Sequence, residues 1–185
     1  KHETTYFRFR EMAKIKQLTA REILNSNGNP TIEVSVFLSD GTVGIASCPM
    51  GTSVGSFEAV FVTDNDEKHS GGMGVLKAVE NIEKQIAPKL LGIEADKQQE
   101  IDKILIELDG TQNKGRLGVN SILPVSMACA KAASKSAVLP LFLYLREFIK
   151  KENLSLKIPI PLFNLINGGK HVFGSLDFQE FLLIP

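Results

Sequence analysis

Thr31-Ile32-Glu33-Val34-Ser35-Val36-Phe37-Leu38 alternates without a break. Ile32, Val34, Val36 and Leu38 fall on one face and Thr31, Glu33, Ser35 and Phe37 on the other, the period-two signature of a half-buried β-strand. Asp40-Gly41 comes next, a dipeptide that favours the tight turn matching strand twist. Thr42 to Cys48 then reads as a returning strand. Upstream, residues 15–24 supply a third strand, set off by the turn-rich Asn25-Ser26-Asn27-Gly28-Asn29-Pro30. The expectation is a three-stranded antiparallel meander.

Downstream the period changes. Val75, Ala78, Val79, Ile82 and Ile86 recur at helical spacing, with Pro88 placed just past the helix end. Ile101, Ile104, Leu105 and Leu108 form a second stripe after an acidic start at Glu94 and Asp96. A third helix runs roughly from Asn120 to Ser136, and its Pro124 is tolerable only in the first turn, where its missing N–H is not needed. A short fourth helix covers about 140–151 and ends in Lys150-Lys151. Strands followed by a run of helices predict an α+β domain. Near residue 157 the composition shifts: Lys157 to Gly169 reads as an apolar strand entering a Gly-rich turn, and Phe178 to Ile184 as a second strand interrupted by Gln179 and Glu180. Two strands are too few to stand alone, so this segment reads as the start of a second domain. Residues 1–11 show no clean period before Met12-Ala13-Lys14 and read as an upstream extension or a cloning remnant.

The 185 residues are 43% hydrophobic and 23% charged, which excludes wholesale disorder. Lys plus Arg and Asp plus Glu number 21 each. That balance argues against a nucleic-acid binder driven by bulk charge. The apolar runs are too short for a membrane span, and without an apolar leader segment the default location is cytoplasmic. Cys48 and Cys129 lie in unrelated apolar contexts and read as buried free thiols. His2 and His69 stand in polar surroundings and read as solvated. No Cys/His cluster marks a structural zinc site.

Two segments carry candidate chemistry. Pro49-Met50-Gly51-Thr52-Ser53-Val54-Gly55 has small residues, two hydroxyls and exposed backbone, suited to an anion or to a hard cation, or else to an ordinary surface loop. Asn167-Gly168-Gly169-Lys170-His171 is the other, with Gln179-Glu180 eight and nine residues after His171. If the two apolar segments pair, His171 and Glu180 meet at one mouth, where imidazole and carboxylate suit proton transfer, anion binding or a structural ion pair.

Several motifs occur in order over residues 14–185: Ala20-Arg21-Glu22-Ile23-Leu24, Gly28-Asn29-Pro30-Thr31-Ile32-Glu33-Val34, Lys77-Ala78-Val79-Glu80-Asn81-Ile82, Ile86-Ala87-Pro88, Ile106-Glu107-Leu108-Asp109-Gly110-Thr111, Asn164-Leu165-Ile166-Asn167-Gly168-Gly169 and Asp177-Phe178-Gln179-Glu180-Phe181. Together they resemble the N-terminal part of enolases, bacterial members most of all. With residues 1–11 set aside as the extension or remnant, the resemblance implies a capping α+β domain over 12–145, a linker at 146–157, and the first two strands of a (β/α)8 barrel at 158–185. It implies a Mg²⁺-dependent hydro-lyase interconverting 2-phosphoglycerate and phosphoenolpyruvate in glycolysis, with two Mg²⁺ per complete site, a small-molecule substrate and a homo-oligomeric state.

By the same resemblance Ser53 matches a loop serine that ligates the second Mg²⁺. His171 matches a histidine near the substrate phosphate, Glu180 a catalytic carboxylate and Gln179 its polar neighbour. The family's base lysine and the first metal's carboxylates match no residue here, which implies that the 185 residues alone are inactive. The pattern is broken at Met50, Thr52 and Val54 in the loop. Asn27, Ile45 and Met73 stand where cations are usual, Pro124 stands for a Gly, and Val172-Phe173-Gly174 replaces a small, polar run. A degenerate, non-catalytic relative acting as a binding or assembly module is therefore the rival expectation. A surface adhesin role is a further one, which no motif marks.

Overall fold

The computed structural model describes residues 13–50, 55–149, 156–169 and 176–185. They fall into two compact units, one running to Met50 and resuming over Phe57–Phe148, the other holding Ile149–Pro185 and the few residues before Phe57.

The first unit is α+β. Strands β1 (Ile15–Leu24), β2 (Pro30–Leu38) and β3 (Val43–Ser47) form an antiparallel sheet in the order β1-β2-β3. The alternation in β2 does what it predicts: Ile32, Val34 and Val36 are fully buried and Leu38 nearly so. Register pairs Val34 with Ala20 on one side and with Ala46 on the other. Gly41 closes the β2–β3 turn at φ +86°, a left-handed conformation that glycine adopts without strain. The outer rim of β1 is covered at its start by residues 92–95, where the Ile15 N–H donates to Ile93 O and Gly92 N–H to Ile15 O.

Helix α1 (Leu76–Asn81) does not stop before Pro88. It passes through a π turn over Ile82–Ile86 into α2 (Ala87–Leu90). The Ala87 N–H reaches back five residues to Ile82 O, and the widened turn delivers Pro88 to a new first turn, where no N–H is required. Val75, Ala78, Ile82, Ile86 and Leu90 then share one buried stripe. Helix α3 (Gln98–Asp109) buries Ile101 and Leu105 completely and ends on Gly110, left-handed at φ +70°. This is the usual helix stop.

Helix α4 (Val119–Ser136) carries Pro124 as its sixth residue, inside the helix and buried. The first-turn requirement was wrong. An interior proline costs a helix about 3 kcal/mol, and burial of the helix's apolar face offsets it. That face is small: Ala128, Cys129, Ala132 and Ala133 are fully buried, which lets α4 lie close on β2 and β3. Lys131 Nζ and Lys135 Nζ of α4 donate to Ile45 O and Val43 O of β3. Helix α5 (Leu141–Arg146) is shorter than expected, and its predicted end at Lys150-Lys151 lies outside the described residues, as does the segment 1–11. Among the described residues no helix is long and apolar enough to cross a membrane.

The second unit contains an antiparallel pair, β4 (Phe163–Asn167) and β5 (Glu180–Leu183). The predicted apolar strand is confined to its last part, since Pro159 and Pro161 offer no N–H to a ladder.

Candidate functional site

The β4–β5 hairpin is built around two glycines. Gly168 N–H donates to Gln179 O at 2.8 Å and Gly169 N–H to Leu176 O at 2.9 Å. A Cβ on Gly168 would stand 2.1 Å from Phe178 O, and Gly169 has φ +59°. The first position therefore excludes any side chain by contact, and the second disfavours one by backbone conformation. This turn sets Glu180 directly opposite Asn167 in the ladder, with Gln179 adjoining it at the hairpin mouth. Phe178 and Phe181 pack edge to face at 5.8 Å between centroids. Glu180 is exposed in this unit, and its carboxylate oxygens are hard acceptors. Ser53 and His171, the other two predicted site residues, lie outside the described residues.

At the root of the loop that leads to Ser53, the first unit holds a cavity of about 600 Å³. Asn25, Thr31, Cys48, Met50, Met127 and Lys131 are among its walls. Thr31 Oγ1 donates to Cys48 O at 2.7 Å, tying β2 to the chain just before the loop. Cys48 and Cys129 are free and buried. Burial pushes their thiols up to about 11 and about 12, which makes both poor nucleophiles.

A third grouping was not legible in the sequence. Glu22 on β1 and Asp64 and His69 in the segment before α1 converge, with one potential ligand atom from each lying within 4.8 Å of the others. His69 is not simply solvated: its Nε2 lies 2.9 and 3.1 Å from the two Glu22 carboxylate oxygens. The same carboxylates cap helix α1. Val75 N–H donates to Glu22 Oε2, and Leu76 and Lys77 N–H donate to Asp64 Oδ2 and Oδ1. The helix has no side-chain cap from its own N-terminal residue, and these distant carboxylates satisfy its orphan donors instead.

The motif Leu108-Asp109-Gly110-Thr111 has a structural explanation. Asp109, 2% exposed, accepts from Thr111 N–H and hydroxyl through Oδ1 and from Arg116 and Leu117 N–H through Oδ2. Burial alone would raise its pKa. The bonds from Leu117, Thr111 and Arg116 together outweigh it and hold the carboxyl below its usual range.

An antiparallel meander backed by an alanine-faced helix is followed along the chain by a glycine-turned hairpin that bears a carboxylate. Residues 15–145 match the family model for the enolase N-terminal domain, and residues 155–185 match that for the enolase C-terminal TIM barrel domain. The chain belongs to the enolase family.

Proposed function

We propose that the chain is the N-terminal part of a Mg²⁺-dependent hydro-lyase that interconverts 2-phosphoglycerate and phosphoenolpyruvate. The observation that carries this reading is the succession of both enolase family models along one chain, with Glu180 at the mouth of the first barrel hairpin. In this reading Glu180 assists proton movement at the substrate and Gln179 orients a polar group beside it. His171 would stand near the phosphate end and the leaving hydroxyl, and Ser53 would help hold the second Mg²⁺.

The donor chemistry fits Mg²⁺ only in part. The Ser53 hydroxyl and the Gln179 and Glu180 oxygens are hard donors of the kind the ion takes, but a single carboxylate is a thin set for two ions. Bound Mg²⁺ supplies positive charge against the substrate carboxylate. The complete enzyme works on a small molecule, as a homo-oligomer in the cytoplasm, without nucleic acid or membrane.

The test has two arms. The longest native product of the gene is assayed for phosphoenolpyruvate formation from 2-phosphoglycerate with and without Mg²⁺, and the 185-residue chain is assayed beside it. Turnover by the first and none by the second is expected. A long product that binds Mg²⁺ yet makes no phosphoenolpyruvate above a contaminant control would establish the rival, a non-catalytic binding or assembly module.

A further inference from the structure

We propose that Glu22, Asp64 and His69 form a site for a divalent transition ion, with Zn²⁺ the best match. One imidazole and two carboxylates are a mixed nitrogen–oxygen donor set, suited to Zn²⁺ and its first-row neighbours. The three donors come from separate places, β1 and two points of the loop before α1, and still converge within 4.8 Å. His69 Nε2 stands 2.9 and 3.1 Å from the Glu22 oxygens. Ligand atoms on a common ion with bonds of about 2.0–2.2 Å lie roughly 3 Å apart; the His69–Glu22 pair already has that spacing, and the Asp64 oxygen, within 4.8 Å of the others, closes in to complete the set.

The backbone around the cluster already does what an outer ligand shell does. Val75 N–H fixes Glu22 Oε2, and Leu76 and Lys77 N–H fix the two Asp64 oxygens. Each carboxylate oxygen has two lone pairs, so these bonds orient the ligands without exhausting them. Gly74 supplies the room: a Cβ there would stand 2.1 Å from His69 Cδ2 and 2.6 Å from Asp64 Oδ2, so no other residue lets ring and carboxylate close together over the chain. All three ligands are half-buried, which leaves a path for the ion and a free position for water. Two opposing features are local. The positive end of α1 faces the site, and Lys77 Nζ sits 2.6 Å from Asp64 O. Two carboxylate charges outweigh the half charge of a helix terminus and the single Lys77 charge taken together.

The experiment titrates the chelator-stripped, tag-free chain with Zn²⁺ by calorimetry, and with Co²⁺ by visible absorption. One ion per chain is expected, with intensified Co²⁺ bands of low coordination number. His69→Ala and Asp64→Asn should each weaken binding by about tenfold or more, whereas the double variant His2→Gln/His171→Gln should bind as the parent does. Circular dichroism on His69→Ala, whose ring supplies no helix cap, separates lost ligation from lost folding. No stoichiometric binding, equal binding by parent and folded His69→Ala, or loss of binding in the His2/His171 variant would each overturn the proposal. Neither readout depends on lyase activity.

Discussion

Gly44 on β3 lies against the backbone of Ala128 on α4 so closely that a Cβ at 44 would stand 2.1 Å from the Ala128 carbonyl oxygen and 2.5 Å from Ala132 N. The obstacle is main chain, which cannot rotate aside. Gly44→Ala should therefore push helix and sheet apart and cost about 1–3 kcal/mol, the usual range for overpacking. Urea unfolding of the two proteins measures it. An unchanged midpoint would mean that the helix can rise off the sheet without penalty.

Asp109→Asn tests the knot at the end of α3. Both oxygens of Asp109 receive backbone N–H groups, from Thr111 on one and from Arg116 and Leu117 on the other. An amide in either orientation turns an NH₂ toward one of these donors. A loss of about 1–3 kcal/mol is expected, the cost of buried groups left unpaired. The pH dependence has a definite sign. The folded carboxyl is held below its ordinary range, so its contribution is complete above the unfolded value of roughly 4 and disappears as pH falls through the folded value. The stability gap between parent and variant should be constant near neutrality and shrink below about pH 4. A gap that widens in acid would contradict this assignment.

The two thiols should behave as core groups. With Cys129 fully buried and Cys48 nearly so, a disulfide reagent at about pH 8 should titrate neither at an appreciable rate until denaturant is added, and both thereafter. Rapid modification of one thiol in the native protein would show that the sheet opens locally at Cys48 or that α4 frays at Cys129.

The hairpin prediction turns on Gly168. Gly168→Ala brings a methyl group into the Phe178 carbonyl and should break the bonds from Gly168 to Gln179 O and from Gly169 to Leu176 O. Hydrogen exchange of the β4–β5 amides should accelerate by about tenfold or more, while the amides of β2 stay protected. Acceleration in both units alike would mean that the hairpin does not unfold as a separate element.

Under the lyase proposal, Ser53→Ala in the longest gene product should lower kcat by about a hundredfold, as for one preorganised catalytic contact. Initial Mg²⁺ binding should change little, because the resemblance assigns the first ion's carboxylates elsewhere. An unchanged kcat with unchanged Mg²⁺ dependence would make Ser53 an ordinary loop residue.

What could be read in advance was what is local. The β2 alternation from Thr31 to Leu38, the Asp40-Gly41 turn and the stripes of α1 and α3 each express a short-range period, and the structure follows them. Pro88 and Pro124 misled because a proline's local preference was taken as a boundary. A π turn accommodates the first, and burial of the alanine face of α4 overrides the second. Glu22, Asp64 and His69 were illegible together because up to 47 residues separate them and no periodicity links a strand residue to a loop 40-odd positions later. The roles of Glu180, Gln179, Ser53 and His171 came from motif resemblance. For Glu180 the hairpin register adds a place opposite Asn167 and for Gln179 a backbone bond from Gly168, and the other two lie outside the described residues.

The lysines of α4 that reach down to β3 have one more consequence. An edge strand is a template on which a foreign strand can grow a sheet, and its invitation is a row of open carbonyls and amides. Here Lys131 and Lys135 occupy the Ile45 and Val43 carbonyls and set two positive charges along the rim, while residues 92–95 occupy the opposite rim at Ile15. The meander is thus partly guarded against β-pairing, by a helix along β3 and by a loop at the start of β1. Acetylation of the two lysines, which removes their charge and two of their donors, is the chemical change that would open it.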